Sequence, residues 1–207
     1  MIARMMLSAA CTVALLAVSA SAQEKPVRVR GTIEAVDGPM LSIKSRDGDM
    51  LKVKMADGIK VTAMVKAELS DIKPGSFVGS TAMPQPDGSW KAVEVHIFPE
   101  AMRGTGIGDR PFDYRPKSTM TNGTVVGGSA AGATVDKSDN KSIVLNFKDG
   151  EKKIDVVPET VIYTYAPGNK DELKSGAVVF ITAAMRQADG SLTADRINVA
   201  RGVAPPM

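Results

Sequence analysis

The one histidine of the chain, His96, follows Glu94 by two residues in the segment Trp90-Lys91-Ala92-Val93-Glu94-Val95-His96-Ile97. Its polarity alternates with period two, the pattern of a strand with one covered face, because successive side chains point to opposite sides. Read that way, Val93, Val95 and Ile97 share the covered face. Trp90, Ala92, Glu94 and His96 share the other, which is expected to be solvated. A neutral imidazole beside a carboxylate is the beginning of a divalent-metal site. Such a site normally needs three or four donors, and this face offers two. A solvated strand face is the plainer reading.

Other chemistry is thin. Nine methionines follow residue 22, and thioethers suit Cu(I), but no two stand as Met-x-Met or Met-x-x-Met, so gap-filling in a core accounts for them. Six aspartates, Asp37, Asp47, Asp57, Asp87, Asp149 and Asp189, precede glycine, where a carboxylate has a local turn to hold. They are poor candidates for acid–base pairs. Gly104, Gly106 and Gly108 lack the strand, helix and lysine-serine pair of a phosphate loop. No Ser/His/Asp spacing suggests a hydrolase.

Charge excludes further partners. The formal net charge is +3. Between Val27 and Pro99 ten basic residues face nine acidic ones, and between Thr121 and Arg201 there are ten of each. Neither half has the block of like charge that grips nucleic acid or an anionic membrane.

The amino terminus gives a compartment. Arg4, the apolar run Met5 to Val18 and Ala20-Ser21-Ala22 have the form of a secretory signal peptide over residues 1–22. The run is too short for the roughly 20 apolar residues that span a bilayer. A periplasmic or secreted location with no stable membrane span follows. The single cysteine, Cys11, lies inside the signal, which leaves the processed chain without thiol chemistry.

The elements that position these residues come from a repeat. Ile72-Lys73-Pro74-Gly75-Ser76-Phe77-Val78 through Asp87-Gly88-Ser89 to Val95 is answered by Leu173-Lys174-Ser175-Gly176-Ala177-Val178-Val179 through Asp189-Gly190-Ser191 to Ile197. Gly31-Thr32-Ile33 is answered by Gly123-Thr124-Val125. Self-similarity at a long period makes the repeat the folding unit. Each copy reads as about five short strands separated by Asp-Gly turns, with one helical turn before the last pair (Leu69 to Lys73, Lys170 to Lys174). The expected fold class is all-β: two tandem small barrels of oligonucleotide/oligosaccharide-binding (OB) type, residues 27–98 and 121–201. A glycine- and proline-rich linker over 99–120 joins them, and a disordered tail is expected over 202–207. In Val178-Val179-Phe180-Ile181 both faces are apolar, so that strand should be covered on both sides.

The Gly-Thr-Ile-x-x-Val pattern at Gly31 to Val36, the Ile72-Lys73-Pro74-Gly75 turn and Asp87-Gly88-Ser89-x-x-Ala-x-x-Val resemble a family of small secreted bacterial β-barrel domains of unknown function. That resemblance covers both copies. It implies an OB-like barrel and an exported location, and brings no catalytic residue with it.

The expected function is therefore an exported, non-catalytic binding or envelope-interaction protein. Two barrels joined by a long aromatic and charged segment form a concave seam. The candidate ligand residues are Arg103, Asp109, Arg110, Phe112, Asp113 and Tyr114 in the linker, beside Trp90, Glu94 and His96. The ligand would be a glycan, a peptide, a small molecule or another envelope component. A periplasmic metal-binding protein using His96 and Glu94 is the alternative, and a hydrolase the third reading. No cofactor is expected apart from such a metal ion.

Overall fold

The computed structural model of the chain describes residues 25–127 and 141–203. The expected signal peptide, residues 128–140 of the expected second barrel and residues 204–207 of the expected tail lie outside them. The described residues are all-β, with helical geometry limited to single 3-10 turns at Leu69–Asp71, Glu100–Met102 and Lys170–Glu172. None of their helices is long and apolar enough to cross a membrane.

The first half supplies β1 (Val27–Asp37), β2 (Met40–Ser45), β3 (Met50–Lys66), β4 (Phe77–Pro84) and β5 (Trp90–Ile97). A short strand β6 (Gly108–Pro111) follows. The second half supplies β7 (Thr119–Gly127), β8 (Lys141–Phe147), β9 (Gly150–Val156), β10 (Val161–Pro167), β11 (Val178–Arg186) and β12 (Leu192–Arg201).

Their pairing is not local to each half. β1, β2 and β3 form an antiparallel meander, and β11 and β12 then close it. β1 pairs antiparallel with β11, β11 with β12, and β12 runs parallel to β3. The result is a closed five-strand barrel with strands from both ends of the chain. β4 and β5, the hairpin expected to close residues 27–98, pair instead with the second half. β4 lies beside β7, and β7 continues antiparallel to β8 and β8 to β9. That series returns to β5 through one parallel bridge, Lys91 with Asp155. β10 joins the two sets of strands, antiparallel to the end of β3 and parallel to β5.

Two cores follow this division. Val29, Ile33, Leu41, Ile43, Val53, Val179, Ile181 and Ile197 pack inside the closed barrel, with Leu173 among them just after a 3-10 turn. Val78, Val95, Val125, Ile143, Leu145 and Ile154 pack between β4, β5, β7, β8 and β9, with Ile72 in the corresponding place. Each buried aliphatic side chain contributes about 1.5–3 kcal/mol by leaving water.

One expected turn is not a turn. Asp57-Gly58 lies inside the 17-residue β3, where Gly58 has a φ of 69°. The strand bends there, and the β12 partnership skips from Met55 opposite Ala194 to Lys60 opposite Arg196. The same strand can therefore wall the barrel with its first part and meet β10 with its last.

Gly31 and Gly123 mark where strands crowd. A Cβ on Gly31 would fall 2.2 Å from the Lys44 carbonyl oxygen, and one on Gly123 would fall 2.4 Å from that of Asn146. Both obstacles are backbone, so a rotamer change cannot relieve them. Each glycine precedes a bulge, between Ile33 and Ala35 in one strand and between Val125 and Gly127 in the other. Bulges at such places sharpen the coil a small barrel needs. Gly31→Ala and Gly123→Ala should each lower the unfolding free energy by about 1–3 kcal/mol, the usual range for overpacking. Thermal melts check this, and unchanged midpoints would remove crowding as the reason for the motif.

The exchange of closing hairpins is also open to test. Fragments 25–118 and 119–203 each lack strands that their own strands pair with, so each alone should show little strand signal in circular dichroism. Mixed in equal amounts they should recover it. A fragment that folds by itself would contradict the exchange.

Candidate functional site

The seam between the two sets of strands holds a cavity of about 520 Å³. β5 contributes Glu94 and His96, β10 contributes Tyr163 and Tyr165, and β12 contributes Arg196 and Asn198. Around them stand Arg28 of β1, Asn122 of β7, Phe180 of β11 and Phe98. The segment 99–118 covers one side, bringing Met102, Thr105, Arg110 and Phe112 to the same space.

Glu94 and His96 are not on a solvated face, contrary to the alternation of their segment. They are 7% and 5% exposed. The reason is cover: Tyr163 and Tyr165 of β10 and the segment 99–118 close over the face opposite Val95 and Ile97. A bulge lies just before the pair. Thr81 of β4 faces Glu94 but the next residue, Ala82, faces Ala92, so Val93 is left over. The extra residue shifts the phase of the strand: Trp90 and Ala92 pack toward the same core as Val95 and Ile97. Glu94 and His96 stay opposite Val95 and Ile97, on the face that lines the seam. The register of β12 against β3 also shifts between Ala194 and Arg196, with the extra residues on β3, and Arg196 and Asn198 line the cavity from the other side.

Space for the imidazole comes from Gly79. Gly79 pairs with His96 on one side and Asn122 on the other. A Cβ there would fall 2.1 Å from His96 Nε2 and 2.5 Å from Asn122 Oδ1, so both side chains lean over bare backbone. His96 Nδ1 lies 3.4 Å from the Tyr163 hydroxyl, which lies 3.3 Å from Glu94 Oε2. The Thr81 hydroxyl donates to Glu94 Oε1 at 2.7 Å. Ring packing surrounds this chain of bonds. His96 is edge-on to Phe98 with centroids 4.7 Å apart, and Phe98 is stacked on Tyr165 at 5.7 Å.

Burial sets the electrostatics. It pushes the Glu94 carboxyl up, against the pull of the Thr81 and Tyr163 hydrogen bonds. It pulls His96 down to about 3, and the Arg110 charge adds to that. Burial likewise lifts both tyrosine hydroxyls above their ordinary range. An acid–base catalyst works best with a pKa near ambient pH. This imidazole stays neutral and serves as a fixed hydrogen-bonding and packing group. A metal would meet one imidazole and one carboxylate here, since no three His, Cys, Asp or Glu converge among the described residues.

The other candidate residues divide. Arg110 and Phe112 reach the cavity. Asp113 lies beside it as a clasp: its carboxylate takes a 2.9 Å bond from Arg30 and stands 3.4 Å from Arg28, while its carbonyl oxygen accepts from Arg46 at 2.8 Å. Partial burial alone would raise that carboxyl; Arg30 and Arg28 outweigh it and hold the group below its usual value. The buried Arg30 guanidinium is also 5.1 Å from the Phe112 centroid and 4.7 Å from that of Phe180. The expected linker thus binds β1 of the closed barrel.

At its other end it binds the second set of strands. β6 pairs with β7, and Asp109 accepts from Lys152 at 3.1 Å and from Thr121 at 2.7 Å. Trp90 lies with them, its ring centroid 3.4 Å from Lys152 Nζ, in a cluster apart from the cavity lining. Arg103 is tied to Glu100 at 2.6 Å and to the Gly75 carbonyl oxygen, and Tyr114 lies under Arg115. Neither lines the cavity.

Sequence reasoning missed Arg28, Asn122, Tyr163, Tyr165 and Phe180. A signal existed for three of them. Tyr163-x-Tyr165 puts two large rings on one face of a strand, and Phe180 interrupts the outward face of a strand with an aromatic. Comparison with protein-family models, curated proteins and solved structures finds no match.

The pH response should show His96. Its folded pKa is below the unfolded value of about 6.5, so the unfolded chain takes up the proton first. His96 therefore leaves stability unaffected above that pH and lowers it as pH falls toward 3, by up to about 1.4 kcal/mol per unit. Glu94, shifted upward, acts oppositely: it stabilises below its unfolded pKa and loses that contribution as pH rises through the folded one. Denaturant titrations between pH 6.5 and 5 should give a decline that flattens in His96→Gln and steepens in Glu94→Gln. The same slope in His96→Gln would show that this imidazole does not titrate on unfolding.

Proposed function

We propose that this protein is an exported, non-catalytic binding protein made of two OB-type barrels, and that its ligand occupies the cavity at their seam. The observation that carries the reading is a mismatch inside that cavity. Asn122 is 3% exposed, its Nδ2 donates to the Thr105 carbonyl oxygen at 2.9 Å, and its Oδ1 has no hydrogen-bond partner. Flipping the amide would oppose two carbonyl oxygens, so the acceptor stays where it is. Leaving a buried acceptor unpaired costs about 1–3 kcal/mol, which a bound donor would offset.

The walls support the same reading. Phe98, Phe112, Phe180, Tyr163 and Tyr165 are five of the chain's eight Phe and Tyr residues, and all line this one space. A volume near 520 Å³ suits a small molecule or a short piece of a polymer. Non-catalytic binding is favoured because the one histidine is bonded to Tyr163 and not to a serine or threonine. The OB assignment rests on five strands in Greek-key order with a 3-10 turn before the closing pair. The matching bulges support two copies of one module that have exchanged closing hairpins. Export rests on the signal-like amino terminus and on the resemblance to secreted domains.

Amide-resolved NMR with a library of small flat-ring compounds tests the binding reading. Shifts should gather on His96, Phe98, Asn122, Tyr163 and Tyr165. Tyr165→Ala should weaken the best binder at least tenfold, and Trp90→Phe, outside the lining, should leave it unchanged. Shifts that gather elsewhere, or an indifferent Tyr165→Ala, would refute a seam site.

A further inference from the structure

Resting on that seam-binding reading, we infer that the cavity selects a small oxyanion with a flat apolar body and a hydroxyl or N–H beside the anionic head. Arg110 would hold the head, with Arg28 near it, and Asn122 Oδ1 would accept from the donor.

The charge of the lining points to an anion. Three guanidiniums, Arg28, Arg110 and Arg196, line the cavity against one carboxyl, that of Glu94. Glu94 is already engaged: Oε1 accepts from Thr81 and Oε2 lies within reach of the Tyr163 hydroxyl. Arg28 shares Asp113 with Arg30. Arg110 makes one hydrogen bond, to the Gly106 carbonyl oxygen, and has no ion-pair partner among the described residues. Arg196 likewise has none. Burial, and then the charge of Arg28, lower the pKa of Arg110. Arg28, paired with Asp113, and Arg110, partly offset by the Asp109 charge, thus face one space, and a bound anion would relieve the repulsion that remains. A guanidinium suits a carboxylate or phosphate because its N–H groups form a planar fork.

Geometry adds the neighbouring donor. Arg110 Nη2 and Asn122 Nδ2 stand side by side over Gly106, 3.1 Å and 3.2 Å from its Cβ position. Asn122 Oδ1 belongs to the same amide and is unpartnered. An oxyanion at Arg110 therefore has a bare acceptor close by, which a hydroxyl or N–H on the ligand would fill. The Phe98 and Tyr165 rings supply a flat apolar surface.

Calorimetric titration of the full mature chain tests this with four probes: 3-hydroxy-2-naphthoate, 2-naphthoate, 2-naphthyl phosphate and neutral 2-naphthol. The expected order places hydroxynaphthoate first and 2-naphthol at least tenfold weaker than the anions, with carboxylate and phosphate arms showing which head fits. Arg110→Met should cost the anions about tenfold and leave 2-naphthol unchanged, while Arg110→Lys restores part of the loss. Asn122→Ala should abolish the preference for hydroxynaphthoate over naphthoate, and unchanged melting midpoints would show that the variants fold. If 2-naphthol binds as tightly as the anions, or Arg110→Met weakens all probes equally, anion selection is overturned and the seam site stands. If no probe binds, both are overturned.

Discussion

The parallel pairing of β12 with β3 is the contact on which the remaining architecture depends. Nine residue pairs run along it, from Leu192 opposite Val53 to Arg201 opposite Val65, and they join strands more than a hundred residues apart. Parallel neighbours need a crossover between them. Here the crossover is most of the molecule, so closing the first barrel forces the intervening strands to assemble against one another nearby. β4 and β5, displaced from the barrel their sequence position suggests, are left to meet β7 and β9. The seam is the by-product of that exchange, lined by strands committed to opposite sides.

The seam explains why polar residues on β5 and β12 can be buried at all. A strand inside one barrel offers a dry core face and a wet outer face. Glu94, His96 and Asn198 are on neither. They face a space where Tyr163 and Thr81 satisfy Glu94, and where Asn198 donates to the Phe180 carbonyl oxygen at 3.1 Å. Segment 99–118 keeps the space covered, because Asp113 is fastened to β1 while Asp109 is fastened to Lys152. Arg30 gains from the same fastening. Its desolvation would be costly alone, and Asp113 with two aromatic faces offsets it.

Much of the strand inventory was legible in the sequence, because period-two alternation and Asp-Gly turns are local signals. The 3-10 turns at Leu69–Asp71 and Lys170–Glu172 were also legible, through the segments that precede Pro74-Gly75 and Ser175-Gly176. The two-faced apolar strand behaves as its pattern requires: Val179 and Ile181 enter a core while Phe180 meets Arg30 at the seam. Partnership was not legible. Two hairpins built on the same Asp-Gly-Ser turn can each pair with either half of the chain, and no local signal says which. The site was half legible for a related reason. Glu94, His96, Arg110 and Phe112 stood out by residue type, and Glu94 and His96 do lie opposite Val95 and Ile97. But β10 and the segment 99–118, distant in sequence, cover that face, and the bulge at Val93 moved Trp90 and Ala92 to the core side. A bulge is decided by the partner strand, so a single strand does not reveal it.

Gly79 shows how such a site can persist without a charged or reactive group to mark it. It lies between His96 and Asn122 in register, and any side chain there would occupy the place where both now lean. The bare backbone turns the imidazole toward Tyr163 and leaves the Asn122 amide in the seam. A stability-driven sequence would fill that hollow with an apolar side chain and drop the amide, gaining packing and losing an unpaired acceptor. The chain instead keeps a glycine, a neutral buried histidine and an unpaired carbonyl oxygen beside Arg110, which has no ion-pair partner among the described residues. His96, Asn122 and Arg110 line the same 520 Å³, and Gly79 lies in register between the first two. The ligand proposed above, bringing a donor, a negative charge and a flat surface, would meet the Asn122 acceptor, the Arg110 charge and the rings together.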